Sequence, residues 1–277
     1  MTSGTLYVVG TPIGNLEDMT FRAVQTLQNA DLIAAEDTRH TGKLLQHFQI
    51  NTPQVSYHEH NRSTRIPELL QKLIEGSTIA LVSDAGMPGI SDPGYELVKA
   101  CIDSDIKVVP IPGASAVITA LSAGGLPTDK FVFEGFLPPK TNQRRQRLEF
   151  LVKESRTIIF YESPHRLRAS LQDLAEVMGK GRRIVLAREL TKYYEEFWRG
   201  TVEEACRHYN SREPQGEYTI LVGGATNETQ LSESQIKAEL EKMISQGIAR
   251  SQASREIALL TSLPRRYIYQ LALEIEH

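Results

Sequence analysis

The residues Ile79 to Val82 run without a break into Ser83-Asp84-Ala85-Gly86-Met87-Pro88-Gly89-Ile90-Ser91-Asp92-Pro93-Gly94. Three glycines and two prolines in twelve residues rule out both a helix and a ladder-forming strand, so this is a stiff loop whose backbone can approach a ligand closely. The four apolar residues ahead of it have the length and composition of a buried strand. Open α/β sheets bind ligands beyond the carboxyl ends of their strands. Asp84 and Asp92 are therefore candidate ligand contacts, although either taken singly also suits a turn or cap.

The rest of the chain repeats the same alternation. Short β-branched runs at Leu6 to Val9, Asp31 to Ala35, Thr78 to Val82 and Ile106 to Ile111 are separated by helical patterns, which predicts an α/β sheet. Ile66, Leu69, Leu70, Leu73 and Ile74 form one apolar helix stripe, with Ser63 or Thr64 as its cap. Further helices are expected at Tyr95 to Cys101 and Ala114 to Ala123. Gly124 to Pro127 breaks the pattern. A second series follows at Phe131 to Phe136, Thr157 to Tyr161, Arg183 to Ala187 and Tyr218 to Val222, with helices at Gln143 to Val152 and along Leu167, Leu171, Leu174 and Met178. Gly223 to Thr229 has the composition of a linker. Beyond Leu231 the stripes Ile236, Leu240, Met243, Ile244 and Ile268, Leu271, Ile275, with Ala253 to Leu260 between them, predict three short helices. These resemble a helix-turn-helix module or a packing element. The expected domains are 1–123 and 124–227, both α/β, and a helical tail, 228–277.

Composition narrows the classes. The 277 residues are 40% apolar, enough to fill real cores. A net charge of −3 offers no global attraction to polyanions, so nucleic-acid binding has to come from local basic clusters. Cys101 and Cys206 lack the spacing of a metal site or a disulfide framework, which fits free thiols in a reducing compartment. No signal or membrane-spanning stretch opens the chain, so a cytoplasmic location is expected. His58 and His60 lack a third ligand, and no metal is expected.

Other strand ends carry chemistry too. Gly10-Thr11-Pro12-Ile13-Gly14-Asn15 is a sharp turn, and Glu36 with Asp37 lies at about the ~20-residue distance expected of a ribose-binding acid in a dinucleotide fold. The glycine spacing is not that of the dinucleotide fingerprint, however, and Pro12 removes an amide donor. Pro112-Gly113-Ala114-Ser115-Ala116 opens a helix with small residues, where amides and Ser115 suit a polar ligand. Phe160-Tyr161-Glu162-Ser163-Pro164-His165-Arg166 gathers an aromatic, an acid, an imidazole and a guanidinium at another strand end, more than capping by Ser163 requires. Glu36-Asp37-Thr38-Arg39-His40 is a similar mixture, either surface ion pairing or a phosphate site.

Taken together, GTPIGNL at Gly10 to Leu16, EDTR at Glu36 to Arg39, the Ser83 to Gly94 loop, PGASA at Pro112 to Ala116 and FYESPHR at Phe160 to Arg166 resemble the tetrapyrrole methylase superfamily. They are most similar to its branch that 2'-O-methylates the ribose of a decoding-centre cytidine in 16S ribosomal RNA. That resemblance implies two α/β domains holding S-adenosylmethionine in the cleft between them, a 16S rRNA or small-subunit partner, and a homodimer. It implies donor-binding residues at Pro12, Asp84, Gly86, Met87, Ser115, Ala116, Tyr161 and Ala187. A ribose hydroxyl is a poor nucleophile, and Asp37 and Glu162 are candidates to take its proton, or else ion-pair partners. Arg39 and Arg166 are candidate phosphate contacts, with Lys140, Arg144, Arg145 and Arg147 on one helix start and Arg265-Arg266 on the tail, each also readable as a solvated basic face. Two alternatives stay open: a corrin or porphyrin ring methyltransferase, and an RNA-binding assembly protein without turnover.

Overall fold

A computed structural model describes residues 3–225, 232–261 and 263–275. The expected linker residues Thr226 to Thr229, the junction at 227/228 and the expected start of the third module near Leu231 lie outside them.

The first sheet is built from β1 (Thr5–Val9), β2 (Leu32–Ala35), β3 (Gln54–Ser56), β4 (Ile79–Val82) and β5 (Lys107–Ile111), all parallel, in the order β3-β2-β4-β1-β5. Alternate residues of each strand point to opposite faces. Leu6, Val8, Ile79 and Leu81 pack with Leu69, Leu73 and Leu97 from α3 (Arg62–Ile74) and α4 (Tyr95–Asp103). Val9, Ile33, Ala80 and Val82 pack with Ala23, Leu27 and Leu45 from α1 (Phe21–Asn29) and α2 (Thr38–His47). Because helices cover both faces, every residue of β4 is buried, which is why that strand reads as an unbroken apolar run. The N-cap of α3 is Asn61, not Ser63 or Thr64. Its side chain is committed to the preceding loop, where Oδ1 accepts from the His58 N–H at 2.9 Å and Nδ2 donates to the Ser56 carbonyl at 3.1 Å. The helix therefore begins before the apolar stripe does.

After α5 (Ala116–Gly124) comes the second sheet: β6 (Phe131–Phe136), β7 (Thr157–Glu162), β8 (Arg183–Arg188), β9 (Glu196–Thr201) and β10 (Tyr218–Val222), in the order β6-β7-β10-β8-β9. Only β6 and β7 pair in parallel; β10 lies antiparallel between β7 and β8. One face packs against α6 (Thr141–Leu151), α7 (Pro164–Val177) and α8 (Val202–Ser211). On the other, Ile159, Val185, Ala187 and Leu221 pack against Val117, Ala120 and Leu121 of α5. The edge strands β3 and β9, together with α8, carry too few apolar residues in a clean period to stand out in the sequence.

Both sheets belong to one compact unit, which runs to Val152 and from Arg156 to Gly223. Lys153–Ser155 and the chain from Gly224 onward form a second. In that second unit α9 (Glu233–Ser245), α10 (Arg250–Thr261) and α11 (Arg265–Leu273) bury Ile236, Leu240, Ala253, Ile257, Ile268 and Leu271 against one another. No helix among the described residues is long and apolar enough to cross a membrane.

One polar interaction lies inside the second sheet's helical layer. Asp173 on α7 is buried and accepts from Arg144 Nε and Arg145 Nε, each at 2.6 Å. Arg144 is itself 4% exposed, so removing the carboxylate would strand a charge in the interior. Asp173→Ala should lower stability by about 3–5 kcal/mol in urea unfolding; a loss under about 1 kcal/mol would mean that water already reaches the pair.

Candidate functional site

The strand order of the first sheet reverses between β4 and β1, and ligands collect beyond the carboxyl ends at such a point. The loops leaving these two strands are tied there by a reciprocal pair of hydrogen bonds. The Thr11 N–H donates to the Gly86 carbonyl at 2.9 Å, and the Gly86 N–H donates to the Thr11 carbonyl at 3.1 Å. Thr11 is 2% exposed. On its other side the β1 loop touches the β5 loop: a Cβ on Gly10 would lie 2.7 Å from Gly113 Cα. A methyl group cannot fit at that distance, so both positions have to be glycine for the three loops to converge.

Where they converge, a cavity of about 420 Å³ opens. The first sheet's loops contribute Ile13, Gly86, Met87 and Asp92, and the start of α5 contributes Ser115 and Ala116. The opposite wall is a row across the second sheet. Tyr161 on β7 and Ala187 on β8 both stand in register with Thr219 on the strand between them. Tyr161 is held edge-on by Phe133 at 4.9 Å and tilted against Phe136 at 5.5 Å, and burial pushes its hydroxyl pKa up. Leu190 and Lys192 close one side.

The profile of the tetrapyrrole (corrin/porphyrin) methylases matches residues 5–206, which take in the first sheet and the second as far as α8, short of β10. The chain belongs to the tetrapyrrole methylases. It is 59% identical to ribosomal RNA small subunit methyltransferase I of Synechocystis sp. over 99% of each chain. It is 52% identical to the protein of that name from Halalkalibacterium halodurans, over 97% of this chain and 94% of the relative. Among solved structures, uroporphyrin-III C-methyltransferase of Thermus thermophilus complexed with S-adenosyl homocysteine shares the fold. Its TM-score is 0.57 at 16% identity, covering 79% of this chain and 97% of that one.

In this tetrapyrrole methylase, Gly86, Met87, Ser115, Ala116, Tyr161 and Ala187 of the sequence-derived donor set line the cavity. Pro12 lies between Thr11, which makes the bridge, and the lining residue Ile13. Asp84 turns away from the cavity lining: its Oδ1 accepts from the Asp37 N–H at 3.1 Å and its own N–H donates to Glu36 Oε2 at 3.2 Å. Asp84 therefore splices the ends of β4 and β2.

The two carboxylates expected to act as a base are both engaged. Asp37 caps α2, accepting from the Arg39 N–H at 2.8 Å and from the Arg39 guanidinium at 2.7 and 3.1 Å. The guanidinium and the amide hold its carboxyl well below the usual carboxylate range, which makes it a weak base. Glu162 borders the cavity, but its side chain is 1% exposed. It accepts from Ser170 Oγ at 2.5 Å, from the Ser163 N–H at 2.8 Å and from Arg166 at 2.7 Å. Two further carboxylates line the cavity: Glu217, paired with Lys192 at 2.9 Å, and Asp92, which has no basic partner among the described ion pairs. The pKa of Asp92 is pushed up to about 6, first by burial and then by the Glu36 and Asp84 carboxylates. The sequence marks Asp92 as part of the ligand loop but not its titration, because Glu36 reaches it only through the pairing of β2 with β4.

The basic candidates separate in the same way. Arg144 is buried on Asp173, Arg145 is paired with Asp173 and Glu176, and Arg147 with Glu134. Arg166 is held by Glu162 and lies over the Phe136 ring. Arg39 is 89% exposed despite its bond to Asp37, and Lys140 is exposed at the start of α6. Arg265 and Arg266 are exposed on α11 of the second unit.

Because burial penalises the charged form of Asp92, the penalty is absent below its ordinary value of 3.8 and complete above about 6. Asp92→Asn should therefore stabilise the fold at pH 8, by about 1 kcal/mol once the solvent that reaches this half-buried group is allowed for, and by almost nothing near pH 4. Urea unfolding at the two pH values checks this; an equal effect at both would place the carboxyl in water.

Proposed function

We propose that the chain is an S-adenosylmethionine-dependent rRNA methyltransferase that 2'-O-methylates a decoding-centre cytidine of 16S ribosomal RNA. The observation that carries this reading is the cavity beyond the ends of β1 and β4, together with relatives of that name matching along the whole chain. The reading also takes the working form to be a homodimer, as the resemblance implies, in the cytoplasm, as the sequence leads one to expect.

The donor fits what lines the cavity. Gly86, Met87, Ala116, Ala187 and Tyr161 offer a largely apolar wall, Ser115 a hydroxyl, and the α5 N-terminus backbone donors. Nearby carboxylates suit a cation. When bound, S-adenosylmethionine supplies an electrophilic methyl carbon on a positively charged sulfur. The protein's part is then to align the acceptor oxygen, exclude water and receive one proton. Asp92, on the cavity wall with a pKa of about 6, can take that proton from a ribose hydroxyl near neutral pH, whereas Asp37 is too weak a base and the Glu162 side chain is closed off by Ser170, Ser163 and Arg166. Arg39 and Lys140 remain exposed for phosphates.

Incubation with labelled donor and small ribosomal subunits, followed by nuclease digestion and mass spectrometry, should find the label on the 2'-oxygen of one cytidine. Label on a precorrin ring and none on rRNA would replace this reading. Filling the cavity with Ser115→Trp, at a partly exposed lining position, should abolish donor binding in calorimetry while the unfolding transition stays cooperative; retained affinity would move the donor elsewhere. With Asp92 as the base, kcat/KM should rise about tenfold per pH unit below 6 and level off above it. Asp92→Asn should then lower the plateau by about 10²–10⁴ and erase the inflection. A variant that keeps the wild-type inflection would assign the proton to another group.

A further inference from the structure

Beside the first cavity lies a second, of about 540 Å³, sharing the wall made by Ser91 and Asp92. It falls in the size range of small-molecule sites, but its chemistry is different. Glu36, Glu59 and Glu96 line it with His58, Arg62 and Tyr95. Burial pushes the Glu36 pKa up. With Asp92 the lining holds four carboxyl groups to one arginine and two histidines, His58 and His60, so it favours a neutral group that donates hydrogen bonds over a phosphodiester. Among the described residues no three His, Cys, Asp or Glu side chains gather as a metal site would need.

The lining also has a direction. Arg62 and Glu96 are ion-paired and 42% and 38% exposed, so they present an acceptor next to a fork of donors with room for a ligand. Tyr95 is 65% exposed, an aromatic face on which a planar ring can stack. His58 Nδ1 is buried and has no hydrogen-bond partner. Cytosine carries an exocyclic amine, a donor, beside two acceptors, the ring nitrogen and the carbonyl. Uracil replaces the first two with an acceptor and a donor, which reverses the match at a carboxylate.

We propose that this second cavity receives the unstacked cytosine base of the acceptor nucleotide, with Glu96 accepting from its exocyclic amine, Arg62 donating to its ring edge and Tyr95 stacking on it. The inference rests on the rRNA methyltransferase reading and deepens it. The base occupies one cavity and the donor the other, and the ribose bridges the Ser91-Asp92 wall with its 2'-hydroxyl at Asp92.

The test is methyl transfer by the full chain to reconstituted small subunits carrying either cytidine or uridine at the mapped acceptor position, with donor affinity measured in parallel. The wild type should prefer cytidine by about 10- to 100-fold in kcat/KM. Glu96→Gln, whose amide can donate to the uracil carbonyl, should shrink that ratio at least tenfold without changing donor affinity. Arg62→Gln should raise KM for the cytidine subunit by about tenfold, again with donor affinity intact. If Glu96→Gln loses donor binding through misfolding, the Arg62→Gln result decides. An unchanged ratio in Glu96→Gln, or an unchanged KM in Arg62→Gln, in an active enzyme would overturn this assignment alone. A wild-type protein that binds donor but methylates neither subunit would overturn the underlying reading with it.

Discussion

Two backbone hydrogen bonds between Thr11 and Gly86 and the near-contact of Gly10 with Gly113 hold the working end of the first sheet. Strand-end loops ordinarily splay apart, because each follows its own helix away from the sheet. Here three of them are drawn to one point, and the cost falls on residues that can make the approach: glycines without side chains and a buried threonine. The cavity is the space left once the backbones have met. Its position follows from strand order, since β1 and β4 are neighbours that run on to helices on opposite faces.

The carboxylates around that point form a graded set. Asp37 is discharged into Arg39 and the α2 N-terminus, while Asp84 accepts from the Asp37 N–H just beyond β2. Glu36 and Asp92 are left facing each other across a partly buried space, and the charge of Glu36 raises the cost of ionising Asp92. Proximity beyond one end of the sheet thus leaves Asp37 a stronger acid, and Asp92 a weaker one, than a free carboxyl. Only the last of them touches both cavities.

Much of this was legible in the chain. The alternation of strands and helices in both halves, the stiff Ser83 to Gly94 loop and six of the residues that line the first cavity came from local pattern and from resemblance. The missing parts are pairwise. Nothing in the spacing of Arg144 and Asp173, 29 positions apart, says that one neutralises the other. A basic run on a helix start therefore reads as a phosphate site until the partner helix is placed. Glu162 was legible as a strand-end acid but not as one already bonded to Ser170 of α7. Thr219 could be placed in the cavity wall only once β10 was known to lie between β7 and β8.

That last arrangement bears on how the molecule is made. The wall opposite the loops needs β7, β8 and β10, and the strand that joins the other two is the last of the sheet to leave a ribosome. Until residues 218–222 emerge, β7 and β8 each expose an unpaired, largely apolar edge, a template for pairing with another nascent chain. The first sheet is complete by Ile111 and can fold during synthesis. A chain stalled before Tyr218 would thus carry one finished half and one aggregation-prone half, and the closing of the second sheet is the step at which assistance from a chaperone would matter most.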